Sequence, residues 1–396
     1  MTTHCKSEER RALGVACGAH ALHDGYTDLI YVLLPIWQQE FGLGFAALGL
    51  MKTVFSGALA GFQIPSGFLA ERFGAPIVLA LGTALAGFGY CLAGLSSGVM
   101  LLVAALFVGG LGASTQHPLA SSLIAHAFAG ARSLKALGTY NFAGDIGKMT
   151  LPAAASLLFV VLSWREAVAL LGGIGLLAGI AIYLAMPRFR DQPAAPRKSE
   201  DAARTAAAVR SYGFPLLLSV GVIDSATRMA FLTFLPFVLT AKGASLPTIG
   251  LALTLVFAGG AAGKLVCAFI GARIGAVATV WLTEAVTALG IVALLPLSLE
   301  AALVLLPVVG IALNGTSSVL YGSVPELVEP ARRQRAFSIF YTGTIGAGAV
   351  SPAIYGLLGD AVGVPSALLV VAAGVLLTLP ITLLLRPALA AQLSKT

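Results

Sequence analysis

Apolar residues run along this chain in twelve stretches, each near the ~20 helical residues needed to cross a bilayer. Their limits fall near 12–37, 46–70, 76–95, 99–127, 135–161, 166–186, 212–240, 247–271, 276–297, 301–327, 335–358 and 365–385. Short breaks separate them, among them Gly42-Leu43-Gly44, Ser96-Ser97-Gly98, Gly243-Ala244-Ser245 and Gly363-Val364-Pro365. Lipid offers no partner to a backbone N–H or C=O, so a spanning segment must bond internally, and these stretches are too long for barrel strands. The pattern predicts an all-α integral membrane protein with twelve transmembrane helices.

The first stretch departs from the pattern at its centre. Ala19-His20-Ala21-Leu22-His23-Asp24-Gly25-Tyr26-Thr27-Asp28-Leu29-Ile30-Tyr31 carries two imidazoles and two carboxyls. At helical spacing His20, Asp24, Thr27, Asp28 and Tyr31 share one face. An ionisable group at mid-bilayer costs roughly 2.5–3.5 kcal/mol on insertion scales, so such groups face a bundle interior or a wet cavity. This helix therefore lines something, and the rest of the chain supplies the other walls. His23 is expected to point away from His20 and to pack on a neighbouring helix.

Composition agrees: 58% of residues are hydrophobic and 10% charged, against about 25% charged in soluble domains. A soluble enzyme is excluded. The net charge of +7 suggests nucleic acid until the charges are placed. With the N-terminus inside, eighteen of the 24 Lys and Arg residues fall in cytoplasmic segments, and only Arg165 and Lys242 fall outside. That bias is a topology signal, with both termini cytoplasmic. Cys5, Cys17, Cys91 and Cys267 have no spacing suited to zinc or a disulfide frame. A polar segment, 188–211, divides the chain into 1–187 and 212–396 and is expected to be a cytoplasmic linker between two six-helix bundles.

The halves look related. At a fixed offset of 201 residues Leu34, Pro35, Gly42, Gly49, Thr53, Phe68, Arg72 and Gly74 meet Leu235, Pro236, Gly243, Gly250, Thr254, Phe269, Arg273 and Gly275. A parallel repeat of this kind puts a substrate path between the halves.

Between stretches two and three stands Gly67-Phe68-Leu69-Ala70-Glu71-Arg72-Phe73-Gly74. It resembles the loop signature of the major facilitator superfamily. Gly67 and Gly74 suit close packing and a tight turn. Glu71 and Arg72 suit a charged latch made and broken as the halves rock. The second copy keeps Arg273 and Gly275 but has Ala272 in place of the acid. Within the superfamily the chain resembles the fosmidomycin resistance family of exporters. Ala19 to Asp24, Gly109 to Pro118 and Asn141 to Pro152 carry that resemblance. It implies helices one, four, seven and ten around a central cavity, helices three, six, nine and twelve outside, and Glu284 of span nine in a structural role.

The remaining mid-span polar residues are candidates for function. Asp24 with His20, relayed through Asp28, suits proton coupling. His117 precedes Pro118, which frees a carbonyl one turn earlier and breaks the helix beside a candidate substrate group. Asp145 and Lys148, three apart, and Asp224 and Arg228, four apart, are expected to pair within their helices. Arg228 suits planar contact to carboxylate, phosphate or phosphonate. Tyr31, Asn141, Asn314 and Tyr341 can add neutral hydrogen bonds around a ligand.

The expected function is secondary transport by alternating access: proton-coupled efflux of a small drug-like or anionic molecule. Import of an organic acid is the alternative. No metal or other cofactor is expected, because His20 and His23 point apart and methionines are few. The expected partners are a small-molecule substrate, protons and the lipid bilayer of a bacterial inner membrane, with the chain a monomer and no nucleic acid bound.

Overall fold

A computed structural model describes residues 6–128, 131–187, 212–328 and 332–393; the predicted linker at 188–211 lies outside the described residues. The described chain is a succession of helices. The first half has α1 (Lys6–Phe41), α2 (Phe45–Gly61), α3 (Gln63–Phe73), α4 (Ala75–Gly94), α5 (Val99–Ala113), α6 (Gln116–Ala127), α7 (Ala131–Leu158) and α8 (Trp164–Ala185). The second has α9 (Gly213–Ala241), α10 (Leu246–Ile274), α11 (Ala276–Leu294), α12 (Leu299–Leu327), α13 (Arg333–Val362), α14 (Val364–Val375) and α15 (Thr378–Leu393).

Three predicted spans are broken helices. The second is α2 and α3, bent by 42°; the fourth is α5 and α6; the twelfth is α14 and α15. Among the described residues nine spans are long and apolar enough to cross a membrane, and the bent pair makes a tenth. The two further long helices, α1 and α7, carry the polar cluster described below. The observed order of elements therefore matches the twelve-helix expectation.

The repeat survives in the backbone. Gly42 and Gly243 have φ of 63° and 87°, and Gly74 and Gly275 have 88° and 83°. L residues rarely adopt that left-handed region, so each pair turns the chain at the same point of each half. Pro35 and Pro236 lie inside α1 and α9 at matching positions.

Each half packs internally through α1 on α7, α4 on α8, α10 on α12 and α9 on α13. The halves meet along α2 on α13 and α7 on α10. Gly49 lies so close to the Pro352 carbonyl that an added Cβ would collide with it. Small residues at helix contacts of this kind are how membrane bundles bring backbones together. Leu81 of α4, Leu177 of α8 and Leu289 of α11 are about two-thirds exposed, as befits helices with one face toward lipid.

The two ends of the molecule differ. At the end bearing the turns after α1 and α9, the halves are sealed. Asp360 of α13 accepts the backbone N–H of Phe45 at 2.6 Å and of Ala46 at 2.9 Å, holding the first turn of α2. The Phe45 ring packs edge-on against Phe234 and Phe237. The two basic residues at this end are both engaged. Arg165 pairs with Glu40 at 2.5 Å and donates to the Ser96 carbonyl at 2.9 Å. Lys242 donates to the Leu295 and Leu297 carbonyls just past α11, where a cation suits the helix end. At the opposite end Glu71, Arg72 and Arg273 are exposed, and no ion pair joins them to another of the described residues, so the latch read from the motif is not formed among those residues. Gly67, expected to allow close packing, faces open space here.

Candidate functional site

The polar cluster is built where α7 presses against α1. An added Cβ on Gly147 would collide with the Ala21 carbonyl, and one on Gly144 would lie 2.5 Å from an Asp24 carboxylate oxygen. Only glycine at both places lets α7 deliver Lys148 to α1. Lys148 Nζ lies 3.3 Å from Asp24 Oδ2. The other oxygen, Oδ1, is 3.3 Å from His20 Nε2 and 3.7 Å from His23 Nε2. His20 Nδ1 sits 2.8 Å from the Tyr140 carbonyl, and the two rings stack at 4.0 Å. A carbonyl only accepts, so Nδ1 carries a hydrogen and Nε2 is left to face Asp24. Nε2 is poorly aligned and has no hydrogen bond of its own.

His117 joins from α6, at the break between α5 and α6 that Pro118 foreshadowed. Its ring lies 5.2 Å from His20 and 4.8 Å from His23, edge-on to both. His23 does pack on a neighbouring helix, but it also reaches Asp24, so His20 and His23 do not point apart as expected. His20, Asp24 and His117 bring ligand atoms within 4.8 Å of one another. The Lys148 ammonium already on Asp24 makes this set part of an ion-pair network.

The expected Asp145–Lys148 pair does not form. Asp145 is bound by Lys264 of α10, whose Nζ lies 2.6 Å from both carboxylate oxygens. Three-residue spacing lost to a partner across the bundle interface, because Lys148 was taken by Asp24. The expected Asp224–Arg228 pair does not form either. Arg228 makes no ion pair among the described residues, and its Nε is buried without a partner. The Asp224 carboxyl instead meets the carboxyl of Glu284 from α11. Glu284 is buried to 1% exposure and faces inward, which its assignment to a peripheral span had not suggested.

Asp28 is buried one turn from Asp24 and lies within the electrostatic reach of Lys52, Lys148 and Arg228. Lys52 donates to the Thr27 carbonyl at 2.7 Å and lies 4.7 Å over the Tyr31 ring. Tyr31 has 0% exposure and donates to Met229 Sδ at 3.2 Å. It lies at the interface between the halves. Asn314 is turned back on its own helix, with Nδ2 3.3 Å from the Gly310 carbonyl. Asn141 is exposed, and Tyr341 is exposed and stacked on Tyr321 at 4.6 Å. The residues that the structure brings together are thus His20, Asp24, Asp28, His117, Asp145, Lys148 and Arg228, joined by His23, Lys52 and Lys264.

A buried, charge-rich seam between two repeated helical bundles is the construction of a membrane carrier. The chain belongs to the Major Facilitator Superfamily, whose sequence profile matches it twice, over residues 16–222 and 217–395. It is thereby a transporter and not an enzyme. It is 25% identical to the fosmidomycin resistance protein of Escherichia coli, over 88% of this chain and 86% of that one. It is 32% identical to the probable sulfoacetate transporter SauU of Cupriavidus necator, but over 41% of this chain and only 38% of that protein's length. A cephamycin export protein of Amycolatopsis lactamdurans is 31% identical over 45% of this chain and 37% of that one. In fold it matches a bacterial homologue of the human lysosomal transporter Spinster, with TM-score 0.82, 16% identity and coverage of 98% and 99% of the two chains.

Proposed function

We propose that this chain is a proton-coupled carrier that moves a small organic anion across a bacterial inner membrane by alternating access. It acts as a monomer, with both termini in the cytoplasm. One observation carries the reading. Arg228, midway along a buried helix, has no counter-ion among the described residues and a buried Nε with no acceptor. Asp28, Asp224 and Glu284 lie within its electrostatic range but none touches it. A buried guanidinium without a direct partner is costly in such a place, and an anionic substrate is the partner that would complete it. Lys148 and Lys264 lie on facing helices of the same seam. With the basic end of the molecule cytoplasmic, the sealed end faces out and the conformation is inward-facing.

Similarity along most of the chain to a fosmidomycin resistance protein supports export, as does the shorter match to a cephamycin exporter. Import by proton symport is the second reading, favoured by the ion pairs. Lys148 and Lys264 are held by Asp24 and Asp145. Each can turn to an anion once its carboxylate takes a proton, so that proton and anion bind together.

Purified protein in proteoliposomes with an internal pH dye tests both readings, with fosmidomycin and sulfoacetate as probes. Anion flux that acidifies the receiving compartment indicates symport, and flux opposed to proton flow indicates antiport. Arg228→Ala is expected to cut either flux at sub-saturating probe by roughly 10- to 100-fold. Flux of both probes at the wild-type rate in that variant refutes the anion reading.

A further inference from the structure

We propose that Asp224 and Glu284 share a single proton and form a second proton-binding site, inside the C-terminal half and separate from Asp24. Asp224 on α9 is 4% exposed and Glu284 on α11 is 1% exposed. Their carboxyls meet at hydrogen-bonding range. Two ionised carboxylates so placed, in a water-poor interior, would repel one another with little screening. One proton between them turns that repulsion into an O–H···O hydrogen bond, the stronger kind in which one partner is charged.

The surroundings offer no other donor sufficient for the pair. Arg228, one turn along α9, lies within electrostatic range of both carboxyls but pairs with neither. On α12 the Thr316 hydroxyl is in reach of the Glu284 carboxyl, with Thr283 Oγ1 at 2.7 Å and the Ala312 carbonyl at 3.3 Å as competing acceptors. Tyr321 of α12 is the other titratable neighbour; it lies within range of Asp224 and Arg228, and its ring stacks on Tyr341 of α13. No lysine or histidine is seen facing the pair among the described residues. Glu284 Oε1 is a buried acceptor that no donor among the described residues meets, the nearby Thr287 hydroxyl included. A donor is therefore missing at this place, and a proton supplies it.

The step is simple to balance. The protonated pair carries one negative charge and one O–H. Release of that proton to water leaves two carboxylates, whose nearest cation is Arg228. The deprotonated pair then competes for the guanidinium with whatever anion it holds. That consequence rests on the anion reading given above, whereas the shared proton itself does not.

Infrared difference spectroscopy on the full chain in lipid nanodiscs, stepped in pH and needing no substrate, tests the site. The wild type is expected to show a protonated-carboxyl C=O band that moves in D2O. Glu284→Gln and Asp224→Asn, which keep shape and hydrogen-bonding capacity, should each remove the same component. Thr316→Val leaves both carboxyls and should shift that component without removing it, which keeps the test open should either carboxyl variant fold poorly. A spectrum unchanged in both carboxyl variants, or unmoved in Thr316→Val and Glu284→Gln alike, overturns the proposal. If Arg228→Ala leaves anion flux intact while the band behaves as expected, the substrate reading fails and the proton site stands.

Discussion

The polar centre of the N-terminal half and that of the C-terminal half solve the problem of buried charge in opposite ways. In the first, Asp24 is met by Lys148, His20 and His23, and Asp145 by Lys264 from across the seam. In the second, Asp224 faces another acid and Arg228 has no counter-ion. Breaking a buried pair costs about 3–5 kcal/mol because a lone charge is left behind. A balanced cluster can stand unaided, and a proton can leave or join it without large rearrangement. An unbalanced one is completed only by something that comes and goes. On the reading proposed above, the first centre moves protons and the second meets an anion beside its own shared proton.

The largest effects should come from striking each centre separately. Arg228→Ala removes the mid-helix guanidinium whose Nε has no acceptor among the described residues. Each charge-assisted hydrogen bond lost is worth about 1.5–3 kcal/mol, so apparent affinity for an anionic probe should fall by roughly 10- to 100-fold. Arg228→Lys should recover only part, since a lysine cannot make the planar two-point contact. Asp24→Asn should leave substrate exchange nearly intact and abolish accumulation driven by a pH gradient. Counterflow and gradient-driven uptake, measured on the same proteoliposomes, separate the two. If both variants lose both activities equally, the division of labour is wrong.

The next largest concerns the bridge between the halves. Asp145→Asn strips Lys264 of its counter-ion. Lys264 is about 41% exposed, so solvent screens the loss and the destabilisation should be about 1–2 kcal/mol, below the cost for a fully buried pair. Reversing both charges, Asp145→Lys with Lys264→Asp, should recover most of it. Thermal unfolding in detergent reads the cycle, and no coupling between the two substitutions would show that the bridge is incidental.

A smaller effect is expected at the molecule's ends. Asp360 caps two N–H groups of α2 at the sealed end, and losing a cap costs about 1 kcal/mol. Asp360→Ala should shift the balance roughly fivefold toward the state open at that end. Glu71→Gln, acting on a latch that is not formed among the described residues, should shift it the other way and slow transport. Distances between spin labels on the two halves check both. Shifts of the same sign would mean the two ends do not oppose one another.

How far this was legible in the sequence follows from where each force acts. The spans were legible because lipid imposes one rule on every residue of a helix. The repeat was legible because Gly42, Gly74, Gly243 and Gly275 sit where the backbone demands φ above zero. The His20–Asp24 contact was legible because both lie on one helix. The pairings of Asp145, Lys148 and Asp224 were misread for the converse reason. Spacing along a helix offers a local partner, but the choice between partners was made by α1, α10 and α11, which the sequence places over a hundred residues away or on an outer span. Glu284 was the clearest miss. The signal was present: an acid in mid-span must meet something, and Asp224 was an acid whose local partner was only assumed. The surroundings of Tyr31 were not legible either, since they are set by Met229 and Lys52 and not by its own helix.

The smallest effect tests the finest detail of the comparison, the place of His20 beside Asp24. If the balanced centre trades protons, the imidazole is a second seat for the proton and Lys148 the main counter-charge. His20→Asn separates those roles. The asparagine amide stands near the position of Nδ1 and can still donate to the Tyr140 carbonyl, 2.8 Å away in the native protein, so the packing of α1 on α7 is kept. What is lost is Nε2, 3.3 Å from Asp24 and without a well-aligned hydrogen bond. An ordinary hydrogen bond is worth about 0.5–1.5 kcal/mol net, and this poorly aligned contact belongs at the bottom of that range. Gradient-driven transport should therefore fall only about twofold to threefold. Lys148 stays on Asp24 in this variant, so coupling to the pH gradient should survive the loss of the imidazole. Initial rates across the pH range in the same liposomes decide it. A loss as large as that of Asp24→Asn would make His20 the principal carrier, and an unchanged profile would reduce it to packing for Tyr140.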